Sequence, residues 1–76
     1  MRTVFMLQSG EYFSGASHTF ICETRELALK YADTWMRLHP GFEEKDVSDR
    51  HDGITDMWMA EGGDWIEIRE EDVKHV

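Results

Sequence analysis

Thr24-Arg25-Glu26-Leu27-Ala28-Leu29-Lys30-Tyr31-Ala32-Asp33-Thr34-Trp35-Met36-Arg37-Leu38 is the stretch around which the rest of the chain arranges itself. Thr24 offers a side-chain oxygen as a helix N-cap, and Glu26 sits near the positive end of the helix dipole. Leu27, Ala28, Tyr31, Ala32, Trp35 and Leu38 recur at helical spacing and form one apolar stripe. Glu26–Lys30 and Asp33–Arg37 are i,i+4 pairs with the acid N-terminal, the better orientation. His39-Pro40-Gly41 ends the helix, because proline disfavours helical geometry before it and glycine suits the exit. A protonated His39 would also be favoured at the helix C-terminus.

On the N-terminal side lie two short runs of β-formers. Residues 3–8, Thr-Val-Phe-Met-Leu-Gln, read as a buried strand, and residues 17–22, Ser-His-Thr-Phe-Ile-Cys, as its return. Ser9-Gly10 and Ser14-Gly15 punctuate the turn, with Tyr12 and Phe13 extending the first strand or capping the core. His18, Phe20 and Cys22 share one face of the return strand.

On the C-terminal side, residues 54–60 and 64–70 read as a hairpin around Gly62-Gly63. A two-residue turn sets Met59 opposite Ile66, Met57 opposite Ile68, Asp56 opposite Arg69 and Trp58 opposite Glu67. A four-residue loop, Ala60–Gly63, shifts the pairing by two and sets Trp58 opposite Trp65. Either way Met57, Met59, Ile66 and Ile68 are expected on one face, and Asp56, Trp58, Trp65 and Glu67 on the other. Residues 42–53 are polar, with Phe42 and Val47 as apolar anchors, and read as a connecting loop; Val73 and Val76 sit in a loosely held tail. The expected architecture is α+β: β-β-α-β-β, an antiparallel sheet with one helix packed on one face, in a single domain over 1–76.

The 76 residues suffice for one core, and the 41% hydrophobic fraction argues against disorder. A single cysteine, Cys22, leaves no intramolecular disulfide. With no secretory signal and no apolar run of membrane-spanning length, the cytoplasm is the expected location.

The charge is concentrated. Residues 1–42 carry four acids and four bases, whereas residues 43–72 carry twelve acids against Lys45, Arg50 and Arg69, a net of −9; the whole chain is −8. Phosphate binding needs the opposite sign, so direct nucleic-acid binding is disfavoured. A basic host protein or nucleoprotein complex is the partner class that such a segment would meet. The bland alternative is a solvated surface that keeps a small domain soluble.

Glu43, Glu44, Asp46, Asp49, Asp52, Asp56, Glu61, Asp64 and Glu67 are the candidate docking carboxylates. Trp58 and Trp65 are candidate aromatic anchors, against the alternative that both are core. His18, His39, His51 and His75 lie in different elements without H-x-x-x-H or CxxC spacing. Asp46, Asp49 and Asp52 recur every third residue, whereas a calcium loop needs alternate positions. No metal and no cofactor is therefore expected, although His51 with its neighbouring aspartates supplies a third reading. His18 and Cys22, about 13 Å apart on an extended strand, are too far apart for a nucleophile–base pair. With no P-loop, G-x-S-x-G, H-E-x-x-H or dinucleotide fingerprint, the expectation is a non-catalytic protein.

Val4-Phe5-Met6-Leu7, then Phe20-Ile21-Cys22-Glu23-Thr24-Arg25-Glu26-Leu27-Ala28, then Trp65-Ile66-Glu67-Ile68 together resemble the layout of small orphan proteins of bacteriophages and prophages. Those proteins include acidic single-domain anti-CRISPR inhibitors, some of which block nucleic-acid channels with carboxylates. The resemblance implies an inhibitor of a host defence complex, acting without chemistry in the host cytoplasm. It carries over no individual functional residue. The alternative expectation, from another class, is a structural or accessory module, monomeric or homodimeric, that pairs with itself through its sheet edge or its tryptophan face.

Overall fold

The computed structural model describes residues 2–12, 14–48 and 53–73. Strands β1 (Arg2–Gly10) and β2 (Ser17–Cys22) lead into helix α1 (Arg25–Leu38). Strands β3 (Phe42–Lys45), β4 (Ile54–Ala60) and β5 (Trp65–Val73) follow. All five strands form one antiparallel sheet in the order β2-β1-β5-β4-β3, with α1 on one face. The α+β fold expected from the sequence is the fold observed.

The helix begins as its sequence dictates. Thr24 accepts the Leu27 N–H at 3.1 Å, and the His39 N–H closes the other end on the Trp35 carbonyl. Asp33 and Arg37 pair at 2.9 Å. The buried face is narrower than the expected stripe. Ala28 and Ala32 are fully buried, with Leu29, Trp35 and Met36 packed beside them, whereas Leu27, Tyr31 and Leu38 are exposed. The two rows 27/31/38 and 28/32/35 are adjacent on a helical wheel. The sheet selects the row with the alanines, whose small side chains allow the closest approach.

Leu7, Cys22, Ile66 and Ile68 complete the core beneath α1, with Phe5, Phe42 and Trp58 packed around them. These residues come from all five strands. The helix-side face of the sheet is therefore apolar at its centre from one edge to the other.

Two sequence expectations are corrected. Residues 42–45 are not loop; they form β3, paired with β4 from Phe42↔Ala60 to Lys45↔Met57. The polar composition that suggested a loop, Glu-Glu-Lys after Phe42, is what an outermost strand carries.

The second correction concerns the β4–β5 register. The observed partners are Met59↔Trp65, Trp58↔Ile66, Met57↔Glu67 and Asp56↔Ile68, one residue away from either expected pairing. The connection is a three-residue loop: Ala60 N–H donates to Asp64 O at 2.8 Å, and Gly63 N–H to Ala60 O at 3.0 Å. Gly63 takes a positive φ of 95°, the left-handed position such loops require. Because side chains alternate with period two, this slip changes the partners of the whole strand. Trp58 and Asp56 join Ile66 and Ile68 on the helix side, while Trp65 and Glu67 join Met57 and Met59 on the opposite face. The two tryptophans do not share a face.

Candidate docking surfaces

Asp56 belongs to the fold. Its side chain is 7% exposed and receives Arg25 in a two-point contact, Nε to Oδ2 at 2.9 Å and Nη2 to Oδ1 at 2.7 Å. The Thr55 hydroxyl donates to Oδ2 at 2.8 Å. Burial alone would push the Asp56 carboxyl up; hydrogen bonds from Arg25 and Thr55, with the Arg25 charge, hold it below the usual range. The same contact raises the Arg25 guanidinium. Since Arg25 opens α1, this pair ties the helix N-terminus to the sheet. Asp56 is correspondingly removed from the docking surface in which the sequence placed it.

The remaining described acids are spread over β3, the turns and β5 and do not share a face. Glu44 lies on the helix-side face beside Trp58, and Glu43 on the opposite face beside Met59. Glu61 is exposed at the β4–β5 turn, where the Asp64 carboxylate accepts the Tyr12 N–H at 3.0 Å. Asp46 accepts the Ser48 N–H at 2.9 Å in the turn after β3, which holds its carboxyl below the usual range. Glu67 is nine-tenths buried near Arg69, which also approaches Glu71 at 3.9 Å. Asp49 and Asp52, with His51, lie outside the described residues.

The sequence missed what accompanies Trp65. The face opposite α1 carries Met6, Met57, Met59 and Trp65, half-buried, with Glu43, Glu67 and Glu71 among them. No described helix or strand lies over it. Trp65 lies across Gly10, its cross-strand partner: a β-carbon there would stand 2.5 Å from the indole. The glycine is the seat of the ring. The alternation of methionine in Met57-Trp58-Met59 was a readable signal, but the turn length decided which way it pointed.

The opposite end of the sheet is uncharged. Strand β2 is an edge, and Phe20 and Ile21, on its two faces, are 54% and 71% exposed. Between β2 and α1 runs an apolar groove of about 400 Å³, lined by Leu7, Phe20, Cys22, Tyr31, Trp35 and Ile66. Cys22 is buried at its floor, and burial pushes its thiol up, as an inert apolar cysteine requires.

The two described histidines take local roles. His39 packs on Trp35 with ring centres 4.5 Å apart, and His18 approaches the same indole at 6.0 Å. The cavity beside them, about 30 Å³, holds little more than one water molecule. Among the described residues, no three His, Cys, Asp or Glu side chains converge on a metal-sized site. No described helix is long and apolar enough to cross a membrane.

No family model, no curated protein and no solved structure matches this chain. The functional reading accordingly rests on its own residues.

Proposed function

We propose that this chain is a non-catalytic acidic binding protein that occupies a basic, nucleic-acid-binding surface of a host defence complex, as a phage-type inhibitor of the anti-CRISPR kind would. The observation that carries the proposal is the spatial segregation of charge. In β3, β4, β5 and their described connections, ten acids face two bases, Lys45 and Arg69; residues 2–41 carry four of each. The strand order sets β4 and β3 on the side of β5 away from the neutral hairpin, so the acids run from the central strand out to the β3 edge as an acidic flank. On the face opposite α1, Trp65 and Met59 supply an apolar centre, and Glu43, Glu61 and Glu71 an acidic rim. Aromatic and methionine side chains within a polar rim are the usual anatomy of a docking surface. With Asp56 and Trp58 on the helix side, the proposed surface is this narrower set.

The test is competition. A purified RNA-guided DNA-binding effector is loaded with labelled DNA duplex and titrated with the chain at about 50 mM and about 200 mM salt, where phosphate-like contacts lose strength steeply. Displacement at low salt that weakens at high salt, and is reduced in Glu43→Gln/Glu61→Gln/Glu71→Gln, supports the proposal. Displacement insensitive to both, or none at low salt, overturns it.

A further inference from the structure

We propose that β2 is a contact between two copies of this chain, which pair antiparallel along residues 17–22 into one continuous sheet. This contact lies at the end of the sheet away from the acidic flank and does not depend on the docking reading above.

An edge strand presents unpaired N–H and C=O groups, and natural proteins blunt such edges with charge, proline, bulges or a cover. Ser17-His18-Thr19-Phe20-Ile21-Cys22 contains no Lys, Arg, Asp, Glu, Pro or Gly. Its pairing with β1 is regular over all six residues, from Gly10↔Ser17 to Phe5↔Cys22, without a bulge. Phe20 and Ile21 project from its two faces and are largely exposed. Among the described residues, none of the usual guards is present.

The groove says what a second copy would gain. Helix α1 packs over β2, β1 and β5 through Ala28 and Ala32, covering Cys22 but leaving Phe20 on the helix-side face of β2 half-roofed. An antiparallel pair of identical strands is related by a twofold axis perpendicular to the sheet, which keeps both helices on the same side. The two grooves then join into one trough, in which Phe20 and Tyr31, 54% and 52% exposed in a single chain, cover one another's apolar surface. Such an isologous contact opposes residues of the same face, so its twofold passes through Thr19 or Phe20 and five residues of the uncharged strand, 17–21 or 18–22, pair with their own copies.

Charge decides for a second copy over other occupants. Strands lie about 4.8 Å apart. In the β2 pairing the two β5 strands stand five spacings apart, about 24 Å, which exceeds two Debye lengths of about 8–10 Å at physiological salt. The acidic flanks of both copies are thus carried outward, beyond effective repulsion. Pairing through β3 would instead bring Glu43 and Glu44 against their own copies. A basic partner, for its part, is drawn to the acidic flank and finds no counter-charge on β2.

Sedimentation of the full chain over a wide micromolar concentration range tests the contact. The expected result is a reversible monomer–dimer equilibrium that is unchanged or strengthened by added salt. Ile21→Lys is expected to weaken it about a hundredfold, since the twofold places two lysines, one from each copy, in the contact. Thr19→Lys, at another exposed position of the edge, provides a second variant should the first perturb folding; circular dichroism monitors that. Amide exchange in residues 17–22 should slow as concentration rises in the parent chain alone. Glu43→Gln/Glu61→Gln/Glu71→Gln should leave the dimer intact, which separates failure of this proposal from failure of the acidic docking surface. A monomer at every concentration overturns the inference. So does a dimer indifferent to both lysine variants, or a monomer whose groove is filled by a small apolar molecule in native mass spectrometry.

Discussion

The two edges of the sheet offer the same backbone hydrogen-bonding groups and opposite side chains. At β3, three of four residues are charged, Glu43, Glu44 and Lys45; at β2 none of six is. The difference shows how a charge asymmetry along the sequence becomes an asymmetry in space. The chain lays β5 between β1 and β4, so the neutral hairpin and helix fall on one side and the acidic strands on the other. Strand β5 is the seam. It pairs with β1 over nine residues, from Arg2↔Val73 to Gly10↔Trp65, and with β4 on its other side. Across the seam, among the described residues, Arg25 of the neutral side pairs with Asp56 of the acidic side on the helix face.

The largest expected effect comes from breaking the seam itself. Ile68 is fully buried in β5 under α1, and Ile68→Ala should cost about 2–5 kcal/mol. That is a large fraction of the roughly 5–15 kcal/mol typical of a small domain. If the two sides are one cooperative body, urea melts followed by circular dichroism and by tryptophan fluorescence will coincide in the variant. Separate transitions would show instead that neutral and acidic sides are independent units.

Removing the link across the seam should have the next effect, and it carries a pH signature. The folded-state carboxyl of Asp56 is held below its ordinary value of about 3.9. Its stabilisation is therefore fully present above that unfolded value and is lost as pH falls through the lower folded one. Asp56→Asn should lower the melting temperature by several degrees at neutral pH. The gap between parent and variant should stay constant down to about pH 5 and close below about pH 4. Taking the difference cancels the relief of acid–acid repulsion that both chains share on acidification. A gap that is flat to lower pH would mean that Asp56 acts by shape and not by charge.

The legibility of the sequence divides along the same line. The neutral side could be read closely. Thr24 caps the helix, His39-Pro40-Gly41 follows its end, and residues 17–22 are β2 without adjustment, because caps, proline and β-formers act locally. The acidic side yielded β4 and β5 but not their faces. One residue of turn length set the register, and only the backbone of Gly63 records which loop was chosen. Strand β3 was hidden for a related reason: an edge strand is guarded by the same charged residues that make a loop look polar. The fate of Asp56 was equally out of reach, since its partner Arg25 lies 31 residues away.

The register has its own test, of moderate size. Gly63→Ala forces a side chain into a positive-φ position and sets a β-carbon 3.0 Å from Tyr12, so it should cost about 1–2 kcal/mol. Gly62→Ala, with nothing within 4 Å and no positive φ, should be close to neutral by the same urea midpoint. Equal costs would contradict the three-residue loop and with it the placement of Trp58 and Trp65 on opposite faces.

The smallest effect on stability is expected at the guarded edge, and it speaks most directly to the comparison. Glu43, Glu44 and Lys45 are exposed, so replacing all three by threonine should leave the melting temperature within a few degrees of the parent. Assembly should change more than stability. In the proposed β2 dimer, one β3 edge would lie at each end, and charge would hold both ends apart from further copies. Once the charge is removed, each β3 can pair with another copy, and two different twofold contacts on one chain generate an open row and not a closed particle. Light scattering should then rise with concentration in the threonine variant and fall back when Ile21→Lys is added, because that change interrupts every second contact. A variant that stays the size of the parent would mean that geometry, and not charge, keeps β3 unpaired.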